Sequence, residues 1–201
     1  MSKPGIWDYK DVDEYQFGAA NPFPNLELLT YNAAKLISKG IEAQTEFAIG
    51  NDGRLSLGAA YTVSTFQAFN LPAFVFGPFN VPASDYAGQA NQFAPLWSAT
   101  FGYQQRFHLA NGATLVGRIN SQLKTSERIT VNPVPGNRVP GTTDTDLSLT
   151  YQSADHPWEL EAWARNIEDT PVMLFGGVTP AGFWGHVAPP RTFGVTFRAW
   201  L

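Results

Sequence analysis

The 201-residue chain contains no cysteine, which excludes a disulfide framework and any thiolate-held metal. Charge is scarce as well. Asp, Glu, Lys and Arg make up 15% of the residues, against roughly 25% in an average soluble domain. Long apolar runs are missing, and no stretch approaches the ~18 uncharged apolar residues that a transmembrane helix needs. There is no surplus of basic residues either. The net charge of -4 and the pI near 5.3 argue against a nucleic-acid surface. Met1 to Lys10 holds no apolar core flanked by basic residues, so no secretory signal is visible there. What the chain has in quantity is aromatic side chains, 14% of the total, within a hydrophobic content of 44% and a mean hydropathy of -0.16. A β-barrel wall reconciles these values, because only every second residue of a spanning strand must be apolar.

Period-two alternation recurs along the chain and is the primary structural signal. It is cleanest at the end, where Phe193, Val195, Phe197, Ala199 and Leu201 alternate with Gly194, Thr196, Arg198 and Trp200. Leu147, Leu149 and Tyr151 alternate with polar residues, as do Trp97, Ala99, Phe101 and Tyr103. The pattern predicts strands near 33–49, 54–66, 93–107, 113–123, 145–152, 157–165 and 191–201, and a weaker first strand near 6–17. Asn51-Asp52-Gly53, Ala110-Asn111-Gly112 and Ser153 to His156 read as tight hairpin turns. Between them lie long loops near 67–91, 124–143 and 166–189, rich in Gly, Pro and aromatics. Strict alternation of short turns and long loops is the asymmetry of a transmembrane barrel, with periplasmic turns at one rim and extracellular loops at the other. The expected fold class is therefore all-β, an antiparallel transmembrane β-barrel. Residues 1–201 form one barrel segment, with its closing strand running to the periplasmic rim. The polar face of 54–66 reads Ser56, Gly58, Ala60, Thr62 and Ser64. Such small residues suit a wide wall better than a small closed barrel, whose interior is filled by side chains.

Catalytic patterns are absent, and the chain is not expected to be an enzyme. His108, His156 and His186 are dispersed without metal-ligand spacing. No nucleophile elbow, phosphate loop or dinucleotide fingerprint occurs, and no cofactor is expected. Glu159 and Glu161 share a strand face and are expected to line a hydrated lumen or to pair with Arg118, Arg165 or Arg198. Glu42 and Glu46 belong to the same class of lumen-facing charges. Phe69, Phe74, Phe76 and Phe79 punctuate one long loop, and Phe175, Phe183 and Trp184 another. The candidate ligand contacts are Phe74, Phe76, Phe79, Phe183 and Trp184, through apolar contact or stacking at a barrel mouth. The alternative is that loop aromatics pack loop on loop or belong to an interfacial girdle. Trp97, Tyr103, Phe107 and Tyr151, near strand ends, read as girdle residues.

Four segments in order resemble the carboxyl-terminal barrel of TonB-dependent outer-membrane receptors. They are SKGIEAQTEFAI (38–49), APLWSATFGYQQRF (94–107), WELEAWARNIEDT (158–170) and PPRTFGVTFRAWL (189–201). Gly40, Glu42 and Asn166 fall at the family's landmarks, and the resemblance covers about 31–201. It implies a barrel of around twenty-two strands filled by a plug, of which this chain supplies the last eight or so. It implies that Phe193, Val195, Phe197, Ala199 and Leu201 carry the signal read by the barrel-assembly machinery. The family more often ends in an aromatic residue than in leucine. By resemblance the parent sits in the cell outer membrane, contacts lipid, and draws energy through TonB by way of an amino-terminal part that this chain lacks. It imports a scarce small-molecule ligand such as a ferric siderophore. Two other readings of the same pattern are a self-contained small outer-membrane barrel and a soluble ligand-binding β-barrel.

Overall fold

The computed structural model describes residues 5–19, 28–71, 73–76, 79–131, 136–179 and 182–200, with side chains over 35–70, 73, 80, 82–131, 136–176 and 184–200. Its strands are β1 (Gly5–Ala19), β2 (Leu28–Ile49), β3 (Gly53–Leu71), β4 (Phe74–Phe76), β5 (Phe79–Val81), β6 (Ser84–Asp85), β7 (Trp97–His108), β8 (Thr114–Lys124), β9 (Glu127–Arg128), β10 (Arg138–Val139), β11 (Thr142–Gln152), β12 (Trp158–Arg165), β13 (Met173–Thr179), β14 (Gly182–Val187) and β15 (Thr192–Ala199). The long strands form one sheet in the order β1-β2-β3-β7-β8-β11-β12-β15. Each is antiparallel to the next. The eight alternating segments of the sequence are these eight strands.

The sheet does not close on itself. Among the described residues β1 pairs only with β2 and β15 only with β12, which leaves an edge at each end. A self-contained small barrel would join those two edges.

Directly opposed residues in an antiparallel ladder share a face, so the register sorts the side chains. Leu57, Phe101, Leu123, Leu147, Leu149, Leu160 and Val195 fall on one face and are solvent-exposed. The exposure reaches 80% for Phe193. On the other face Ser56, Gly102, Asn120 and Asp146 stand opposite one another across β3, β7, β8 and β11. Apolar residues thus point away from the polar side rather than into a core.

The turns explain the hairpins. Ile49 pairs with Gly53, so the first turn occupies 50–52 rather than the expected 51–53, and its positive-φ residue is Gly50, at 61°. Gly53 is needed for a different reason, since a Cβ there would lie 2.6 Å from the Ile49 carbonyl oxygen. Gly112, at φ 81°, closes the second turn as expected.

The segments expected to be loops contain more regular structure than the alternation indicated. β4–β5, β9–β10 and β13–β14 are short hairpins within them. β2 begins at Leu28 rather than near 33, and β3 continues to Leu71 rather than ending near 66. At 22 residues β2 has about twice the ~9–11 residues of a membrane-spanning strand. The upper part of β3 finds a backbone partner in the returning chain. Phe66 and Asn91 donate to the carbonyls of Gln89 and Ser64 at 3.0 and 2.9 Å.

The hydrophobic core sits at this long-loop end and joins Leu36, Phe66, Phe69, Tyr86 and Val131. Leu36 pairs with Phe66 and Lys35 with Ala68, so Gln67 is an extra, unpaired residue. Such a bulge shifts the alternation by one. It allows Phe66 and Phe69, three apart, to meet with ring centroids 4.8 Å apart, and Tyr86 packs on Phe69 at 5.1 Å. Both phenylalanines have no exposed surface. Phe69, first read as a loop aromatic, is a core residue.

Candidate functional site on the polar face and the long-loop end

The polar face carries the charges. Arg198 on β15 reaches Glu159 at 2.7 Å and Glu161 at 3.0 Å, both on β12. Gln152 donates to the second oxygen of Glu159 at 3.2 Å. This is the register at work, because Gln152, Glu159 and Arg198 stand in one row across three strands, and Thr150, Glu161 and Thr196 in the next. Arg118 donates through Nε to Gln104 at 2.9 Å and through Nη1 to Thr150 at 3.4 Å. Arg165 lies over the Trp163 ring, 5.1 Å from its centroid. Arg118, Asn120, Asp146, Trp163, Arg165 and Arg198 border a shallow polar hollow of about 270 Å³. Three guanidinium groups and three carboxylates balance in this sector, so it is a mixed-charge surface rather than a field of one sign.

Trp163 has no counterpart in the sequence reading, although its place in the alternation with Glu159, Glu161 and Arg165 put it on the polar face. Its indole covers Gly194, where a Cβ would stand 2.6 Å from Cζ2, and Nε1 donates to Thr196 at 3.1 Å. Further along, Glu46 pairs with Arg54 at 3.3 Å, and Glu42 lies opposite Ala60. The six charges selected from sequence, Glu42, Glu46, Arg118, Glu159, Glu161 and Arg198, thus occupy one face. Arg198, Glu159 and Glu161 are ion-paired, Arg118 borders the same hollow, and Glu42 and Glu46 stand apart. Between lies a flush surface of small residues. Thr100 covers Gly58 and Ser56 covers Gly102, each hydroxyl within 2.6 Å of where a Cβ would be.

On the apolar face the expected girdle residues group by rim. Tyr151, Trp158 and Phe197 form a chain of rings at 5.5 and 5.9 Å beside the short turns. Tyr61 and Trp97 meet at 4.8 Å toward the long-loop side. Trp97 and Phe107 are ten residues apart on β7, about 33 Å along the strand. At a tilt of about 45° that is roughly 23 Å of height, close to the ~25 Å apolar band of a membrane barrel. Phe193, Val195, Phe197 and Ala199 line this face of β15 and are exposed, while Leu201 lies outside the described residues.

At the long-loop end, the backbones of Phe74, Phe76 and Phe79 belong to the β4–β5 hairpin and that of Phe183 to β14. Their side chains lie outside those described. Trp184 is half-exposed and meets Phe175 edge-on at 5.7 Å, and Phe175 stacks on His186 at 5.3 Å. Below this hairpin, Thr145 donates to Glu168 through its hydroxyl at 2.5 Å and its N–H at 2.9 Å. The hydroxyl bond is the main reason that the Glu168 carboxyl is held below the usual carboxylate range. Among the described residues no group of three or more His, Asp or Glu is placed to hold a metal ion.

Comparison with known proteins places this architecture. The profile described as TonB dependent receptor-like, beta-barrel, matches residues 8–167. No curated protein matches the chain. The crystal structure of the ferric yersiniabactin uptake receptor FyuA from Yersinia pestis superposes with a TM-score of 0.69 at 16% identity, over 84% of this chain and 24% of that one. BauA, the ferric preacinetobactin receptor from Acinetobacter baumannii, gives 0.61 at 17% identity, over 96% of this chain and 25% of that one. The chain therefore spans about a quarter of the length of either receptor, and at these identities the likeness is one of fold.

Proposed function

Since the chain belongs to the TonB-dependent receptor family through its β-barrel domain, we propose that it is the carboxyl-terminal wall of an outer-membrane transporter that imports a scarce ligand such as a ferric siderophore. Members of the family are outer-membrane transporters. The observation that carries the reading is the open, two-faced sheet. It has eight long strands with, among the described residues, an unpaired edge at each end, one apolar face and one polar face, and the chain covers a quarter of two ferric-siderophore receptors. Its apolar face exposes Leu57, Phe101, Leu149, Leu160, Val195 and Phe197 across successive strands, a contiguous patch of the kind that marks an interaction surface, and lipid is the natural cover for it. The two edges are an aggregation liability in isolation, which the remaining strands of a larger barrel would remove.

In this reading the short turns face the periplasm and the long loops face outward. The polar face, with Glu42, Glu46, Arg118, Glu159, Glu161 and Arg198, lines the lumen against a plug supplied by the preceding part of the parent, which also contacts TonB. The alternating residues Phe193, Val195, Phe197, Ala199 and Leu201 are what the barrel-assembly machinery reads. Phe74, Phe76, Phe79, Phe183 and Trp184 are the ligand contacts at the mouth.

The experiment is uptake of radiolabelled iron by cells carrying the full-length gene or the gene truncated before the segment equivalent to β11. The proposal expects outer-membrane fractionation and siderophore-dependent uptake with the full gene, and loss of both on truncation. A chain of 201 residues that is soluble and monomeric without detergent would overturn it.

A further inference from the structure

We propose that Asn166 is the positioning residue of the third long loop, a clamp that joins the loop's two feet and thereby orients the β13–β14 hairpin. Asn166 follows the last residue of β12, has a φ of 49° and is buried, with 5% exposure. Its side chain uses both ends of the amide. Oδ1 accepts from the Thr170 N–H at 3.0 Å, while Nδ2 donates to the carbonyls of Thr170 at 3.0 Å and Pro189 at 3.4 Å. Thr170 lies on the outgoing foot of the loop and Pro189 on the returning one. A single short side chain therefore spans both. The backbone N–H of Asn166 is fixed in turn by Asp146 on β11, at 3.1 Å.

A second staple lies beside the first. Asp169, also at positive φ, accepts from the Arg191 N–H at 2.9 Å, and Arg191 Nη1 donates to the Ile167 carbonyl at 3.3 Å. The hairpin above is seated on its glycine side. A Cβ on Gly176 would stand 3.4 Å from Cδ1 of Ile129, a side chain that is itself buried. Gly176 pairs with Gly185, so at this pair the face is bare backbone. Phe175 and His186, opposed in the ladder, and Trp184 occupy the other face. Which way those three rings point is decided by how the feet are held.

Asparagine is suited to the position on two separate counts. It tolerates the left-handed region better than other residues with a side chain, and its amide both donates and accepts. Asp keeps the conformation and the acceptor but loses both donors. Gly keeps only the conformation, and Ala keeps neither. The clamp goes beyond the transport reading and does not depend on it.

Arg191 lies at the returning foot of the loop, so trypsin reports on the clamp in the full-length protein in its membrane. Cleavage at Arg191, a bond that the Asn166 variants leave unaltered, tracks how often the feet open. With about three hydrogen bonds lost, Asn166→Gly should be cut at least about tenfold faster than the wild type. Asn166→Asp should be cut at an intermediate rate and Asn166→Ala at least as fast as the glycine variant. Heat-modifiable gel mobility on the same samples checks that the barrel is formed. A folded Asn166→Gly protein cut at the wild-type rate overturns the clamp. Should that variant fail to form a barrel, a wild-type cleavage rate in Asn166→Asp overturns it equally. Iron uptake measured on the wild type is a separate readout, and its absence removes the transport proposal while leaving the clamp standing.

Discussion

Phe193 and Phe66 are the same residue type on strands of the same sheet, yet one is 80% exposed and the other is wholly buried. The difference separates the spanning wall from the long-loop end. In the wall, alternation sends most apolar side chains to one face and leaves polar rows on the other, with Trp163 and Val116 as exceptions on the polar side. Toward the long loops the returning chain folds back over β2 and β3, and an ordinary soluble-type core appears around Phe66 and Phe69. The first region leaves its apolar face exposed, to be covered by lipid in the proposed reading, whereas the second covers itself. A single β-bulge at Gln67 marks the change, because it turns Phe69 to the side of Phe66.

Substitutions can break this contrast. The largest effect is expected for Phe66→Ala, at about 3–5 kcal/mol, confined to the long-loop end. Protease cuts in 82–92 and urea unfolding in detergent would show it, with the short-turn rim unchanged. An equal loss of protection at both rims would mean that wall and loop end are one cooperative unit. Leu149→Arg comes next. In a bilayer it should cost about 2–4 kcal/mol, while Ser148→Arg, one residue away on the opposite face, should be tolerated. Comparison of the two by unfolding from liposomes sharpens the assignment of faces, and equal costs would erase it.

The smallest effect concerns pH. The Glu168 carboxyl titrates below its ordinary value because Thr145 binds its ionised form. The unfolded chain therefore binds the proton more readily. The stabilisation is fully present above the ordinary carboxylate range and disappears as pH falls through the lowered value. Hydrogen exchange at the 166–170 amides, corrected for the intrinsic pH dependence, should stay slow at neutral pH and quicken in acid, and Glu168→Gln should reduce that dependence.

Most of the wall was legible in the sequence because a spanning strand writes its two faces as strict alternation. The rows Gln152–Glu159–Arg198 and Thr150–Glu161–Thr196 follow from pattern plus register, and the pairing of Arg198 with both glutamates followed once the strands were neighbours. The long-loop end was less legible for a physical reason. β6, β9 and β10 are only two residues long, too short to show any period, and the bulge at Gln67 breaks the period where it matters most. Phe69 therefore read as a loop aromatic when it is a core residue. Asn166 was visible only as the landmark ending a strand. Its role needs Thr170 and Pro189, which are brought together in space and not in sequence.

The central claim is that the apolar face meets lipid and the polar face does not. These 201 residues hold no cysteine, so a single Cys substitution is the one thiol among them, and any cysteine elsewhere in the full-length protein is replaced by serine beforehand. An environment-sensitive fluorophore would be attached at Leu147, Leu149 and Tyr151, and separately at Asp146, Ser148 and Gln152, in the full-length protein in liposomes containing spin-labelled lipid. The account predicts blue-shifted, lipid-quenched emission at the first three positions and unquenched emission at the second three. Uniform quenching across the six positions, or the reverse alternation, would contradict it.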